Sequence, residues 1–259
     1  MVSILMDKSP WIFVSGIGAM TAVLILVFKD TLLSLVASIQ ITSNDMVHVG
    51  DWIEMPQFGA DGDVIDVALH TVKIQNWDKT VTTVPTKAFI SDWFRNWRYM
   101  SESGGRRIKR ELLIDQSTID FLTREDVERF IRFGLLRDYL SEKEAEISEA
   151  NRLVDGEHPV NARRLTNVGT LRAYIYHYLR NHPRINQELT LLVRQGEPTP
   201  GGLPIQIYCF TATTAWAEYE DIQSDIFDHL LAIVPEFGLR VFQHPSGTDV
   251  RDLGNPGRE

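Results

Sequence analysis

The stretch from Trp11 to Phe28 contains eighteen residues without a charge and ends at the pair Lys29-Asp30. As a helix it spans about 27 Å, which is enough to cross the hydrocarbon core of a bilayer. Small residues let neighbouring membrane helices approach closely, and four of them lie in this stretch: Gly16, Gly18, Ala19 and Ala22. A lone anchor does not need them. The pattern therefore favours a helix that packs among others, as in a membrane pore or a helix bundle.

The charged pair is followed by a second apolar pattern in the segment 31–41, where leucine, valine and isoleucine recur at helical spacing. Asp30 or Thr31 can cap the start of a new helix. We therefore expect two helical pieces with a bend at Lys29-Asp30. The second piece is amphipathic, which suits the membrane interface or a subunit contact. No small-x-small site follows the first run directly, so a retained helix is favoured over a cleaved signal peptide.

From Met46 to about Met100 the sequence alternates in short strands that are separated by turn residues such as Asp61-Gly62. Four or five strands in so short a segment predict a small antiparallel barrel or sandwich over residues 45–103. Ser103-Gly104-Gly105 is suited to a hinge that leads into the next domain.

Residues 104–245 show a mixed pattern that predicts an α/β domain. Helices are expected over 125–140, 171–179 and 222–234, and strands over 108–114, 189–194, 203–210 and 240–243. Strand–helix–strand–strand–helix–strand is the split βαβ order, with additional helical material inserted at about 135–180. Residues 246–259 are left as a C-terminal tail.

Composition narrows the classes of function. The net charge of −9 makes the whole molecule a poor binder of polyanions. The only cysteine, Cys209, excludes an internal disulfide framework, and its apolar neighbours predict that it is buried. The seven histidines lack the spacing of metal ligands, and no phosphate loop or nucleophile motif occurs. We expect no catalysis, no metal and no cofactor.

Three blocks of sequence resemble the small-conductance mechanosensitive channel (MscS) family: 16–41 (GIGAMTAVLILVFKDTLLSLVASIQI), 50–55 (GDWIEM) and 61–86 (DGDVIDVALHTVKIQNWDKTVTTVPT). Asp228-His229 and the run FGLRVFQHP resemble its Gram-negative miniconductance subfamily. The resemblance implies a membrane protein of mixed class. Its parts would be a bent transmembrane pore helix within 1–44, a small Sm-like all-β barrel and an α/β, ferredoxin-like cytoplasmic domain.

The resemblance also implies roles for individual residues. Leu26 and Ala22 fall where the family places its pore constriction, and Lys29 and Asp30 fall at the helix bend and pore mouth, where the family usually has a glycine. Pro85-Thr86 stands where the family usually has Pro-Asn. Four further residues would line the pore or pack against neighbouring helices: Gly16, Gly18, Ala19 and Val23.

The implied assembly is a tension-gated homoheptamer in the bacterial inner membrane, with its soluble body in the cytoplasm. It would contact membrane lipids, pass ions and small osmolytes on hypo-osmotic stress, and bind no nucleic acid. The subfamily carries several membrane helices ahead of the pore helix, and these are expected outside the sequence given. A different class of function stays open: a non-conducting membrane scaffold or osmotic sensor, favoured by the charged pair at the bend.

Two motifs have more than one interpretation. The segment 92–100 (DWFRNWRYM) interleaves aromatic and basic residues. It suits either stacking on RNA bases, as in an RNA-binding Sm-like module, or a last strand that leads to a subunit contact. The net negative charge favours the subunit contact. A basic run follows, which could meet lipid phosphates, line the vestibule wall or pair with acidic residues of a neighbouring copy: Arg106, Arg107, Lys109 and Arg110.

Overall fold

The computed structural model describes residues 10–152 and 159–245 of the chain. The chain divides into two compact units, with the boundary between Glu102 and Ser103. The expected tail 246–259 lies outside the described residues, as do the first nine residues of the expected membrane segment.

Helix α1 runs without interruption from Pro10 to Ser43 and includes 34 residues. The expectation of two helical pieces is therefore wrong. Lys29 and Asp30 lie inside the helix, because neither side chain removes a backbone hydrogen bond as proline does, and lysine is a good helix former. At about 1.5 Å per residue the helix is about 51 Å long, which exceeds the roughly 30 Å core of a bilayer. Only part of α1 can lie in lipid.

The rest of the first unit is a five-stranded antiparallel sheet, which confirms the strand-rich pattern predicted for this segment. The spatial order of its strands is β4-β3-β2-β1-β5. The strands are β1 (Trp52–Met55), β2 (Ala60–Val67), β3 (Thr71–Asn76), β4 (Val81–Pro85) and β5 (Arg95–Asn96). Two short helices accompany them, α2 (Ala88–Ser91) and α3 (Arg98–Glu102), with a 3-10 turn at Pro56–Phe58.

The register of β2 against β3 depends on a glycine. Gly62 lies opposite Asn76 in this antiparallel pair. A Cβ at Gly62 would collide with the carbonyl oxygen of Gln75. Only a residue without a side chain allows this approach of the two strands.

The second unit is built on a three-stranded sheet in the order β6-β8-β7, with β6 (Arg107–Ile114), β7 (Leu192–Gln195) and β8 (Leu203–Phe210). Strand β8 is antiparallel to both neighbours, so β6 and β7 are parallel to each other. That arrangement is the split βαβ order. The strand expected over 240–243 is reduced to one isolated bridge, between Val241 and Ile114.

Helices α4 (Arg124–Phe130), α5 (Arg137–Asn151), α6 (Asn167–Arg180) and α7 (Trp216–Ile233) complete this unit. 3-10 turns occur at Gln116–Thr118, Pro159–Asn161 and Val234–Phe237. The single helix expected over 125–140 is wrong, because α4 ends at Phe130 and α5 starts at Arg137. Gly134 lies between them, and glycine is a poor helix former.

One core holds the second unit together. Alternate residues of β6 and β8 point toward the helices, where Ile108, Ile207 and Cys209 are fully buried. Burial raises the pKa of the Cys209 thiol to about 12, so it is a neutral, unreactive side chain at neutral pH. The prediction that Cys209 is a small buried hydrophobe is confirmed.

Candidate functional site

The N-terminal part of α1 carries an apolar surface that the rest of the described chain does not cover. Every residue from Val14 to Leu33 is exposed, and Leu26 is 73% exposed. By length and composition α1 is the one helix in the described residues that is suited to cross a membrane. So many exposed large hydrophobic side chains require lipid or another protein surface as their surroundings.

The predicted pore residues do not form a single stripe. With 3.6 residues per turn, Ala19, Ala22 and Leu26 share one face of α1. Gly16 and Val23 lie on one flank of this face, and Gly18 lies on the other. A methyl group at either glycine would meet nothing within 4 Å. Packing among the residues that the structure describes therefore does not explain why Gly16 and Gly18 are small.

The C-terminal part of α1 packs against the first sheet. Ser34, Ala37 and Ile41 are buried, and they recur at the spacing of one helix face. Ile41 belongs to the same core as Phe89 of α2 and the inner residues of the sheet. The surroundings of α1 thus change along its length: its N-terminal part is exposed, and one face of its C-terminal part is buried against the first sheet.

Lys29 and Asp30 mark the change from one part of α1 to the other. Asp30 lies on the same face as Ser34 and Ala37, and its Oδ1 is 2.9 Å from Nζ of Lys87, just ahead of α2. The pair is solvated, with Asp30 75% exposed. Because both side chains are exposed, the Coulomb attraction between Asp30 and Lys87 is modest. The pair links α1 to the segment between β4 and α2, at the point where the buried face of α1 begins.

A buried ion pair fixes the chain between α1 and β1, and sequence reasoning missed it. Asp51 is 7% exposed and accepts hydrogen bonds from the Arg98 guanidinium, including one of 2.8 Å from Nε to Oδ1. It also accepts from the backbone N–H of His48 at 2.8 Å and from the Asn96 amide at 2.9 Å. Arg98 reaches back to Asp45 as well, at 3.0 Å.

Burial alone would raise the pKa of Asp51, but the donors from Arg98, His48 and Asn96 outweigh it and hold the pKa below its ordinary value. The Asp51 carboxylate in turn raises the pKa of Arg98, against the opposing effect of burial. Asp51 and Arg98 are 47 residues apart, so no local pattern pairs them. In the sequence, the indication of this ion pair is Arg98 itself, which lies in 92–100 among aromatic residues.

Two of the four aromatic residues in 92–100 pack within the chain, Phe94 against Phe89 and Trp97 against Trp52, whereas Trp93 is 61% exposed and Tyr99 78%. Trp97 stacks on Trp52 with 4.7 Å between ring centroids, and Trp77 meets Trp52 edge-on at 5.2 Å. Glu54 accepts a hydrogen bond from Trp97 Nε1 at 3.2 Å and pairs with Arg95 at 2.6 Å. Such satisfied, stacked rings stabilise the sheet face. The stacked rings of Trp52, Trp77 and Trp97 are poorly placed to separate around nucleic-acid bases.

The four residues of the basic run separate to two sides of β6. Arg106 lies over the ring of Tyr219 at 4.7 Å, and Arg110 lies over Phe227 at 4.1 Å, so both are held against α7. Arg107 and Lys109 alternate with Ile108 and therefore point to the opposite, helix-free face of the sheet.

Two family models match the chain. Residues 30–99 match the β-domain of mechanosensitive ion channels, and residues 166–241 match the C-terminal part of the mechanosensitive ion channel MscS. Together the matched segments make up more than half of the chain.

Curated relatives agree with the family models. The low conductance mechanosensitive channel YnaI of Escherichia coli is 26% identical over 228 residues, covering 88% of this chain and 52% of the relative. An uncharacterized MscS family protein of Helicobacter pylori is 23% identical, covering 89% of the chain and 33% of the relative. The chain thus spans about half the length of YnaI, and less of the second protein.

Solved structures show the same fold at low identity. The cryo-EM structure of Arabidopsis thaliana MSL1 aligns with a TM-score of 0.60 at 14% identity, over 90% of this chain and 65% of that one. The crystal structure of Helicobacter pylori MscS in its closed state aligns with a TM-score of 0.54 at 11% identity, over 90% and 71% of the two chains. The family models, the relatives and the fold agree, and the chain belongs to the MscS family of mechanosensitive ion channels.

Proposed function

We propose that this chain is the channel-forming part of a tension-gated ion channel subunit and that several copies, seven by resemblance, surround one pore. The observation that carries the proposal is the exposed apolar part of α1 in a chain of a mechanosensitive channel family. The assignment implies transport, with no enzymatic step. We place the protein in the bacterial inner membrane with the sheet-containing units in the cytoplasm, as the family resemblance suggests.

In this proposal the face that bears Ala19, Ala22 and Leu26 points to the pore axis. A ring of Leu26 side chains forms an apolar constriction in which water is unstable, and this stops ions without a plug. Ala22 leaves its level of the pore wider. Gly16 and Val23 on one flank and Gly18 on the other would meet the two neighbouring copies, since small residues allow close helix contact.

Gating requires no chemistry. Membrane tension does more work on the conformation with the larger in-plane area, so the open state gains population as tension rises. The change of surroundings along α1 supports this assignment. The C-terminal part of α1, which includes Ser34 and Ala37, is packed against the first sheet, so a movement of the helix is transmitted to the sheet. The part ahead of Lys29 makes no such contact and can tilt in lipid.

The charges at the pore mouth favour anions. Lys29, Asp30 and Lys87 together contribute one net positive charge per copy, because Asp30 pairs with Lys87 and leaves the charge of Lys29. In a ring these charges add and bias the local field. The expected cargo is ions and small osmolytes that leave the cell on hypo-osmotic stress. Surrounding lipids would contact the exposed apolar side chains.

Two finer structural assignments belong to the same proposal. By resemblance, the five-stranded sheet is an Sm-like barrel and the second unit a ferredoxin-like vestibule domain. The antiparallel order of the first sheet and the split βαβ order of the second support them.

Patch-clamp recording of membranes that carry the full-length protein, under graded suction, tests the proposal. We expect unitary currents whose open probability rises with tension. Silence at every tension below rupture would contradict the channel and favour the alternative, a non-conducting scaffold or osmotic sensor. The uninterrupted, charged helix at Lys29-Asp30 is the observation that favours that alternative, because it lacks the flexible glycine of the family.

A further inference from the structure

The second unit carries opposite charges on its two outer faces. One is the helix-free face of the three-stranded sheet, and the other is the outward face of α7. We propose that these two surfaces dock against each other between neighbouring copies of this chain, head to tail around the assembly. The inference rests on the proposed function only in that several copies assemble.

The sheet face is basic and partly apolar. Arg107 and Lys109 of β6 point away from the helices, and Arg194 of β7 lies on the same side, two strands away. Neither Arg107 nor Lys109 has an ion-pair partner among residues 10–152 and 159–245. Cross-strand register places Tyr208 beside Lys109, and Arg107 lies over the Tyr208 ring at 5.7 Å. The face thus joins unpaired cations to aromatic surface, the composition typical of protein interfaces.

A polar chain crosses the middle of this face and orients one of its cations. Arg194 Nε donates to Gln206 Oε1 at 2.8 Å, and Gln206 Nε2 donates to Glu111 Oε1 at 2.8 Å. The face also has two acidic residues, Glu111 on β6 and Glu197 just past β7, which line one hollow with Arg194 and Gln206. Arg107, Lys109 and Arg194 outnumber these two carboxylates, so the face is positive by one charge, and its unpaired cations lie at the β6 edge.

The outward face of α7 is acidic. Four carboxylates recur at intervals of three and four residues and lie opposite the buried side of the helix: Glu218, Asp221, Asp225 and Asp228. The helix contains no lysine or arginine. Arg184 approaches Asp221 at 3.6 Å, but both side chains are well exposed.

Like charges at this spacing repel one another and weaken an isolated helix. A row of cations from another molecule would relieve the repulsion. The basic sheet face supplies such cations, and it lies on the far side of the same unit. The two faces therefore cannot meet within one chain.

The placement of the two faces dictates the symmetry. Because they differ and lie on opposite sides of the unit, each copy that uses its basic face on one neighbour still offers its acidic face to another. Such heterologous contacts continue from copy to copy and close into a ring when the rotation permits. A two-fold dimer would instead leave no face for a third copy.

Cross-linking in the full-length protein tests this docking. Lys109→Cys and Asp225→Cys are combined in one chain and treated with a short bis-maleimide in membranes. We expect covalent species larger than dimers, because each copy links to two neighbours. The single variants should give no such ladder, and a control pair of Lys109→Cys with the exposed Glu144→Cys on α5 should give none either. Buried Cys209 contributes little.

Currents from the same membranes, recorded before cross-linking, separate the two proposals. Tension-gated current without cross-linked species larger than dimers overturns the docking proposal and leaves the channel proposal standing. A ladder without current supports the docking and contradicts the gating. Absence of both contradicts both. A ladder that stops at dimers, or that forms equally well with Glu144→Cys, also overturns the docking.

Charge reversal provides an independent readout. Arg107→Glu with Lys109→Glu should reduce the yield of assembled particles several-fold, because two acidic faces then meet. Adding Asp221→Lys and Asp225→Lys to that chain should restore the yield, since the charges are exchanged but complementary. A fourfold variant that assembles no better than the sheet-face variant contradicts charge pairing.

Discussion

At the scale of single residues, the ion pair of Asp51 with Arg98 is the contact in the first unit on which we expect stability to depend most. Asp51 is 7% exposed and Arg98 18%, so the carboxylate depends on this one guanidinium for its counter-charge. Arg98→Ala leaves a buried charge without that partner and should destabilise the protein by about 3 kcal/mol. Thermal unfolding of the solubilised full-length protein measures the loss.

The matched control is Lys73→Ala in the same sheet. Lys73 pairs with Asp66 at 3.0 Å, but both side chains are about half exposed. Such a surface pair contributes no more than about 1 kcal/mol. If the two variants lower the unfolding temperature equally, the Asp51–Arg98 pair does not fix the chain between α1 and β1.

Acid should weaken the same contact. The pKa of Asp51 is lower in the folded protein than in the unfolded chain, so the folded state binds fewer protons near that pKa. The stabilisation is therefore present above the unfolded value of about 3.9 and disappears as pH falls through the lower folded value. In unfolding measured from pH 7 down to pH 2, Asp51→Asn should show a smaller loss of stability. Parallel curves for the two proteins would rule out this contribution.

At the scale of elements, α1 behaves as one helix with two environments. Ala37 is fully buried against the first sheet, whereas Val36, one position away, is 47% exposed. Ala37→Leu forces extra volume into a packed contact and should cost about 1–3 kcal/mol. Val36→Leu places the same leucine side chain on the exposed side, where only one methylene is added, and should cost little. The unfolding temperatures of the two variants compare them directly, and equal values would show that the attached face is misassigned.

Elements defined by local pattern could be predicted well. Strand β8 has the bounds that its apolar run predicts, and the alternation of β6 separates its inner from its outer residues. Features set by tertiary contacts could not be predicted. The last strand is reduced to the bridge at Val241. The pairing of Asp51 with Arg98 depends on β1 and β5 being neighbours, which no short window of sequence contains.

At the scale of the whole molecule, the chain combines an apolar helix with two compact units that differ in role. The first unit attaches the helix through Ile41 and the Asp51–Arg98 pair. The second offers two oppositely charged faces to its neighbours. The sequence predicts the helix and the order of the units directly. The alternation of β6 separates Arg107 and Lys109 from Arg106 and Arg110, but only the placement of α7 shows that Arg106 and Arg110 lie on the inner side, against its aromatic residues.

In the proposed channel Leu26 closes a shared apolar pore, and single-channel recording at zero tension measures whether it does. Leu26→Ser should wet the constriction and produce a steady leak. Leu24→Ser makes the same chemical change on the opposite side of α1 and should leave the closed state tight. A tight closed state in Leu26→Ser, or an equal leak in both variants, would show that Leu26 does not seal the pore.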